Sequence, residues 1–201
     1  MIKRLLAVKG IHYLVTRFGP QKLRSLAFDE KYRRGDWSFR NSDANELSTV
    51  VREYLMNGDL LIMGCGGASV LEGLEETGLQ SALGIDLSEE AIRLAKRYAS
   101  KKSSFQLADM MTFECPQSYD VILFSESLYY VPFSSQEGFL RRLGQHLKPN
   151  GVFIVTFAQA KRYETILEKI RQNFLVLNDC AFLGSTRHVI VFKVSIRPSA
   201  L

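Results

Sequence analysis

The sequence predicts an α/β fold, a mostly parallel sheet of seven strands with helices on both faces. Three observations predict it. From residue 45 onward, short apolar runs alternate with stretches of helical periodicity. Glycine, aspartate or proline punctuates the junctions between them. The last two strand-like pieces have no helix between them, so an antiparallel hairpin is expected at one edge of the sheet.

Residues 45–56 place Leu47, Val50, Val51 and Leu55 at helical spacing. Asp59–Met63 reads as a short buried strand running into the glycines of LLIMGCGGASVLEGL. A helix is expected over 69–76, ended by Gly78. Residues 81–85 form a second strand closed by Asp86. Ser88 then caps a helix whose first turn holds Glu89 and Glu90, both favourable at a helix N-terminus. Residues 104–107 are a third strand, ending at Ala108 and Asp109. Tyr119–Ser125, YDVILFS, is the strongest signal for a central strand. A helix over 136–147, a turn at 148–151 (KPNG), a strand over 151–157 and a helix over 161–173 follow. Residues 174–178 and 188–194 make the closing hairpin.

The 201 residues, 46% apolar and 23% charged, suit one soluble globular domain. The three cysteines form no C-x-x-C pair, which argues against a disulfide framework or clustered zinc site and for a reducing, cytoplasmic setting. No apolar run is long enough to span a bilayer. Lys9 and His12 interrupt the apolar N-terminus and no small-residue cleavage site follows, so no export signal is read. The net charge of +5 is concentrated: residues 1–40 hold ten Lys/Arg against three Asp/Glu, the remainder sixteen against eighteen. Such a basic arm can meet nucleic acid, anionic lipid or an acidic substrate, or be a solvated face. No Arg/Gly run, zinc-finger spacing or RNP-like aromatic pair supports nucleic acid.

Ligands of such sheets collect beyond the carboxyl ends of the strands. Gly64 and Gly66 follow the first strand, where they let backbone approach a ligand and leave helix N–H groups for an anionic end. Asp86, twenty residues beyond Gly66, stands where an acid accepts both hydroxyls of a ribose. Asp109 follows the third strand, within reach of a purine amine. Their recurrence at successive strand ends points to a nucleoside cofactor. Ser69 replaces the third glycine of a nicotinamide loop, and the antiparallel finish does not suit a dinucleotide fold.

These stretches resemble the class I S-adenosylmethionine-dependent methyltransferases over roughly residues 45–195. LLIMGCGGAS resembles their first motif, GIDLSEEAI the second and QLADMMTF the third. YDVILFSESLYYV resembles the fourth strand and its loop, and LGQHLKPNGVFIVTF the stretch leading into the fifth. The resemblance implies a Rossmann-like three-layer sandwich and S-adenosyl-L-methionine as cofactor. The implied cofactor wall is Gly64, Cys65, Gly66, Asp86, Leu87, Asp109, Met110 and Ser125. Two positions depart from the pattern: Ile62 stands where the family has an acid, and Ala68 where it has the loop's last glycine.

Residues 28–39, FDEKYRRGDWSF, resemble the aromatic lead-in of small-molecule members of the nodulation and tellurite/thiopurine types. There the N-terminal arm covers the cofactor, with Tyr32 and Trp37 as the covering aromatics here and Arg33, Arg34 or Arg40 available to an anion. The implied organisation is a basic arm over 1–44, a methyltransferase domain over 45–195 and a tail over 196–201.

Methyl transfer from a sulfonium depends mainly on alignment and desolvation. The candidates for acting on the acceptor lie in SESLYY: Glu126 as hydrogen-bond acceptor, Tyr129 and Tyr130 beside the methyl path. That loop lacks the N/D-P-P-Y/F motif of DNA-adenine and protein-glutamine methyltransferases, which counts against a base amino group as acceptor. His146 reads as structural and His188 as a possible border of the acceptor pocket; no spacing suggests a metal site. The expected activity is methylation of a small molecule, with nitrogen slightly ahead of oxygen. The alternatives are an RNA methyltransferase docking through the basic arm, or a non-catalytic binding protein that keeps the fold.

Overall fold

A computed structural model describes residues 9–35, 41–74, 78–182 and 187–194. Helices α1 (Lys9–Phe18), α2 (Gln21–Arg33) and α3 (Asn41–Leu55) precede the first strand. Strands β1 (Asp59–Met63), β2 (Ser81–Asp86), β3 (Ser103–Leu107), β4 (Tyr119–Ser125) and β5 (Leu147–Phe157) follow, with α4 (Glu89–Ala95) after β2 and α5 (Gln136–Gly144) after β4. Helix α6 (Glu164–Asn173) leads to β6 (Leu175–Ala181) and β7 (His188–Lys193).

The sheet order is β3-β2-β1-β4-β5-β7-β6. Strands β1 to β5 pair in parallel; β7 runs antiparallel to β5, and β6 to β7. The strand order reverses between β1 and β4, which is where a sheet of this kind opens a crevice at its carboxyl rim.

Strand periodicity sorts the core into two layers. Leu60, Ile62, Val121, Leu123, Ile154, Val189 and Val191 pack on one face with Leu47, Val51 and Leu55 of α3. Leu61, Met63, Ile122, Phe124, Phe153, Val155, Ile190 and Phe192 pack on the other with α5 and α6. Central strands buried on both faces explain why β1 and β4 read as continuous apolar runs.

Several expectations are corrected. The segment after the glycine loop is a single 3-10 turn, Ser69–Gly73, rather than the start of a regular helix. Its backbone presses against α3, since a Cβ on Gly73 would meet Ser48 Oγ at 2.4 Å. The KPNG stretch lies inside β5, where the register jumps from Tyr119↔Leu147 to Val121↔Val152, so four residues loop out of the ladder. Lys148 fixes that loop by donating to Asp59 (2.7 Å) and Asp120 (2.6 Å) at the amino end of the sheet. Strand β6 extends to Ala181, and α3 begins at Asn41, so the expected boundary at residue 44 falls inside a helix. Trp37, Arg40 and residues 196–201 lie outside the described residues.

Candidate active site

The loop after β1 turns back through left-handed backbone at Gly64 (φ 74°), Gly66 (φ 53°) and Ala68 (φ 54°). Contrary to expectation, its first N–H groups do not face outward. Gly64 and Cys65 both donate to the Ile85 carbonyl, at 2.9 and 2.8 Å, and Gly66 donates to Asp86 Oδ2 at 2.9 Å. The loop is thereby bolted to the end of β2. Gly64 and Gly66 are needed for space: a Cβ would stand 2.7 Å from Ser127 Cβ at Gly64 and 2.8 Å from Tyr32 Oη at Gly66. Ala68 is more than an added methyl, because a left-handed alanine costs about 1–2 kcal/mol.

Asp86 ends β2 with its carboxylate shared between the N–H groups of Gly66 and Ser88, each at 2.9 Å. Burial pushes this carboxyl up to about 6, against the opposing pull of the Ser88, Gly66 and Leu87 N–H groups. The folded value lies above the ordinary carboxylate value, so the stability linked to this group is present at low pH and is lost as pH rises through about 6. A ribose donating two hydroxyls favours the ionised form, so ligand binding has the opposite dependence. S-adenosylhomocysteine is expected to bind about tenfold more weakly per pH unit below 6, with a plateau above 7, as checked by calorimetric titration from pH 5 to 8.

The N-terminal helices reach this rim. Asp29 of α2 accepts from Ser88 Oγ (2.6 Å) and from the Glu90 N–H (3.2 Å), tying α2 to the start of α4. Ser88 also caps α4 as expected, accepting from the Ala91 N–H at 3.1 Å. Arg24 pairs with Asp109, whose other oxygen accepts from the Met111 N–H at 3.1 Å. Arg17 of α1 donates to the Tyr129 carbonyl at 2.6 Å. Arg33 and Arg34, expected to be available to an anion, instead pair with Glu30 and, for Arg33, Asp29 at the surface.

Glu126 follows β4 with φ 56°, a left-handed turn that swings its side chain toward β5. Its carboxylate accepts from the Ala158 N–H (2.7 Å) and Thr156 Oγ1 (3.2 Å). Tyr129 stacks in parallel on Tyr163 with centroids 4.4 Å apart, and Tyr130 meets Phe28 edge-on at 5.0 Å. Burial drives the hydroxyls of Tyr129, Tyr130 and Tyr32 well above the ordinary phenol value. All three are therefore neutral hydrogen-bonding groups near neutral pH, not phenolate bases.

These elements enclose a cavity of about 450 Å³. It is lined by every expected site residue among the described residues: Tyr32, Gly64, Cys65, Gly66, Asp86, Leu87, Asp109, Met110, Ser125, Glu126, Tyr129 and Tyr130. Sequence reasoning missed Arg24, Phe28 and Arg187, which line it too. His188 does not border it; its ring pairs with Asp179 on β6. Among the described residues there is no cluster of three or more His, Cys, Asp or Glu able to hold a metal. No described helix is long and apolar enough to cross a membrane.

A sheet of this order, with a glycine loop after its first strand and an acid ending its second, defines a Rossmann-like fold with a nucleoside site at its switch point. Residues 61–155 match the methyltransferase domain family, and the cofactor that this match indicates is S-adenosyl-L-methionine. Among curated relatives, it is 29% identical over 140 residues to a 2-heptyl-1-hydroxyquinolin-4(1H)-one methyltransferase of Mycobacteroides abscessus. That alignment covers 66% of this chain and 60% of the relative. Among solved structures, the CcbJ methyltransferase of Streptomyces caelestis superposes with a TM-score of 0.67 at 14% identity, covering 83% of this chain and 97% of that one. The N-methyltransferase NodS of Bradyrhizobium japonicum, in complex with S-adenosylhomocysteine, gives 0.59 at 16% identity over 96% of each chain.

The cavity fits that cofactor on its own geometry. The absence of a Cβ at Gly64 and Gly66 lets Ser127 and Tyr32 close on the loop, and the buried Asp86 carboxylate lines the cavity, where it could accept from a ribose. Met110 reaches the same loop, its methyl 3.4 Å from the position of a Cβ on Gly64, and offers an apolar flank to a purine.

Proposed function

We propose that the protein transfers a methyl group from S-adenosylmethionine to a nitrogen or oxygen of a small aromatic molecule. The observation that carries this reading is the cover: Arg24, Phe28 and Tyr32 of the N-terminal arm line the same cavity as the glycine loop and Asp86. An acceptor must fit beneath that arm, which suits a small molecule better than a macromolecule.

The bound cofactor supplies a methyl on a sulfonium, lost by in-line displacement to a lone pair of the acceptor. Asp86 would hold the ribose, above the loop that its carboxylate secures. Ser125, Cys65, Leu87 and Met110, which line the same cavity, would flank the cofactor, and Asp109, held by Arg24, would meet the base. Glu126, fixed by Ala158 and Thr156, accepts a hydrogen bond from an N–H or O–H of the acceptor. Phe28, Tyr129 and Tyr130 offer ring faces and edges to a flat acceptor and exclude water. A hydroxyquinolinone substrate named for the Mycobacteroides relative is of this flat, aromatic kind.

The RNA reading is not favoured, because Arg17, Arg24, Arg33 and Arg34 of the basic arm are engaged within the chain. The test is incubation with methyl-labelled S-adenosylmethionine and a panel of hydroxylated and amino heteroaromatics, with transfer RNA alongside. Label in a heteroaromatic supports the proposal. Label in RNA alone, or S-adenosylhomocysteine binding with no transfer to any member, sinks it.

A further inference from the structure

Two buried carboxylates flank one buried serine at the end of β2: Asp29 of α2 is 5% exposed, Asp86 9% and Ser88 0%. Ser88 links them. Its hydroxyl donates to Asp29 Oδ1 at 2.6 Å, and its N–H donates to Asp86 Oδ1 at 2.9 Å. The same hydroxyl accepts from the Ala91 N–H, so it is held from both sides. Asp29 Oδ1 also takes the Glu90 N–H, at 3.2 Å. A second buried acid beside a first is costly, because each disfavours ionisation of the other. Helix capping does not require it, since Ser88 already caps α4. Five residues earlier on α2, Arg24 pairs with Asp109 after β3. Helix α2 thus holds the ends of both strands whose acids are expected to meet ribose and base.

We propose that Asp29 is a positioning residue for the nucleoside: through Ser88 it ties the N-terminal arm to the Asp86 carboxylate, so that docking of the arm and binding of the ribose are coupled. The inference rests on the methyltransferase reading. Such coupling is reciprocal. The Ser88 N–H fixes an oxygen that a ribose uses, and a ribose on Asp86 fixes Ser88 and with it α2. The Asp29 charge has a separate effect. Burial pushes the Asp86 carboxyl up to about 6, the Ser88, Gly66 and Leu87 N–H groups oppose that rise, and Asp29 adds to it. Tyr32 of α2, Cys65 of the glycine loop and Tyr130 after β4 also sense the Asp86 charge, and burial keeps all three neutral near neutral pH. Glu90 of α4 is paired with Arg93, Asp109 with Arg24, and Glu89 is exposed. Removing the Asp29 charge therefore lowers the Asp86 value. A ribose favours the ionised form, so binding then persists to lower pH.

The test compares the wild type with Asp29→Ala and Asp29→Asn. Both Asp29 hydrogen bonds go to Oδ1, so asparagine keeps them and loses the charge, while its Nδ2 lies on the side of Arg33. Each protein, checked by thermal melting, is titrated calorimetrically with S-adenosylhomocysteine from pH 5 to 8. Backbone hydrogen exchange in α2 is followed with and without that ligand. At pH 8, Asp29→Ala is expected to lose about tenfold or more in affinity, and the ligand no longer slows exchange in α2. Asp29→Asn regains most of that affinity, and its pH 5 affinity relative to pH 8 exceeds the wild type's by about twofold or more. If Asp29→Ala does not fold, the pH profile of Asp29→Asn decides alone. An Asp29→Asn profile that overlays the wild type's, or an Asp29→Ala affinity equal to the wild type's, overturns the proposal and leaves Asp29 a packing contact. A wild type that binds no S-adenosylhomocysteine defeats the methyltransferase reading as well, whereas binding indifferent to Asp29 defeats the coupling alone.

Discussion

Asp86→Ala is expected to weaken S-adenosylhomocysteine binding by about 100-fold or more, measured by calorimetry on folded protein. Hydrogen bonds to a charged carboxylate contribute about 1.5–3 kcal/mol each, and a ribose makes two. The substitution also removes the acceptor of the Gly66 and Ser88 N–H groups, so loop geometry and melting temperature fall with it. Asp86→Asn separates the two effects, since it retains one carbonyl oxygen and cannot ionise. It is expected to stay folded, bind weakly, and lose the pH dependence that the wild type shows around 6. Wild-type affinity in Asp86→Asn would show that the ribose lies elsewhere.

Gly64→Ala is expected to destabilise the protein by about 2–5 kcal/mol and to cost at least tenfold in cofactor affinity. The left-handed backbone at φ 74° accounts for about 1–2 kcal/mol. Overpacking accounts for about 1–3 kcal/mol, because the new methyl would stand 2.7 Å from Ser127 Cβ. Ser127 cannot give way easily: it is buried and its hydroxyl donates to the Met63 carbonyl. Urea denaturation monitored by fluorescence gives the stability change. Gly138→Ala, where a Cβ meets nothing within 4 Å, is the near-neutral comparison.

The strands were the legible part of the fold. Alternation within β1, β4 and β5 sends successive side chains to opposite core layers, and that period survives in the sequence whatever the strands pair with. Helix α2 was not legible for a related reason. Its buried residues, Ala27, Phe28 and Asp29, are consecutive and form no stripe at three- and four-residue spacing. It folds against the site, through Asp29 and Phe28, more than against a core. The helix expected after the glycines failed because Gly73 must lie against Ser48, a contact that local periodicity does not encode.

The candidate site divides in the same way. Gly64, Gly66, Asp86 and Asp109 were readable because each follows a strand at a spacing imposed by the sheet. The partners that set their chemistry were not. Asp109 takes Arg24 from 85 residues away, Glu126 takes Thr156 and Ala158 from about thirty away, and Asp29 reaches Ser88 across 59. Arg187 carried no signal at all, being one basic residue before a strand.

By itself, the sequence determined the alternation of strands and helices, the carboxyl-rim position of the glycines and acids, and hence the kind of cofactor. Those properties depend on periodicity and short spacings, which are local. Only the tertiary structure decided that the loop's N–H groups turn inward, that Tyr32 covers Gly66, and that Arg187 is buried in the cavity wall. Those are contacts between segments distant in sequence, selected by how whole elements pack, and no local pattern records them.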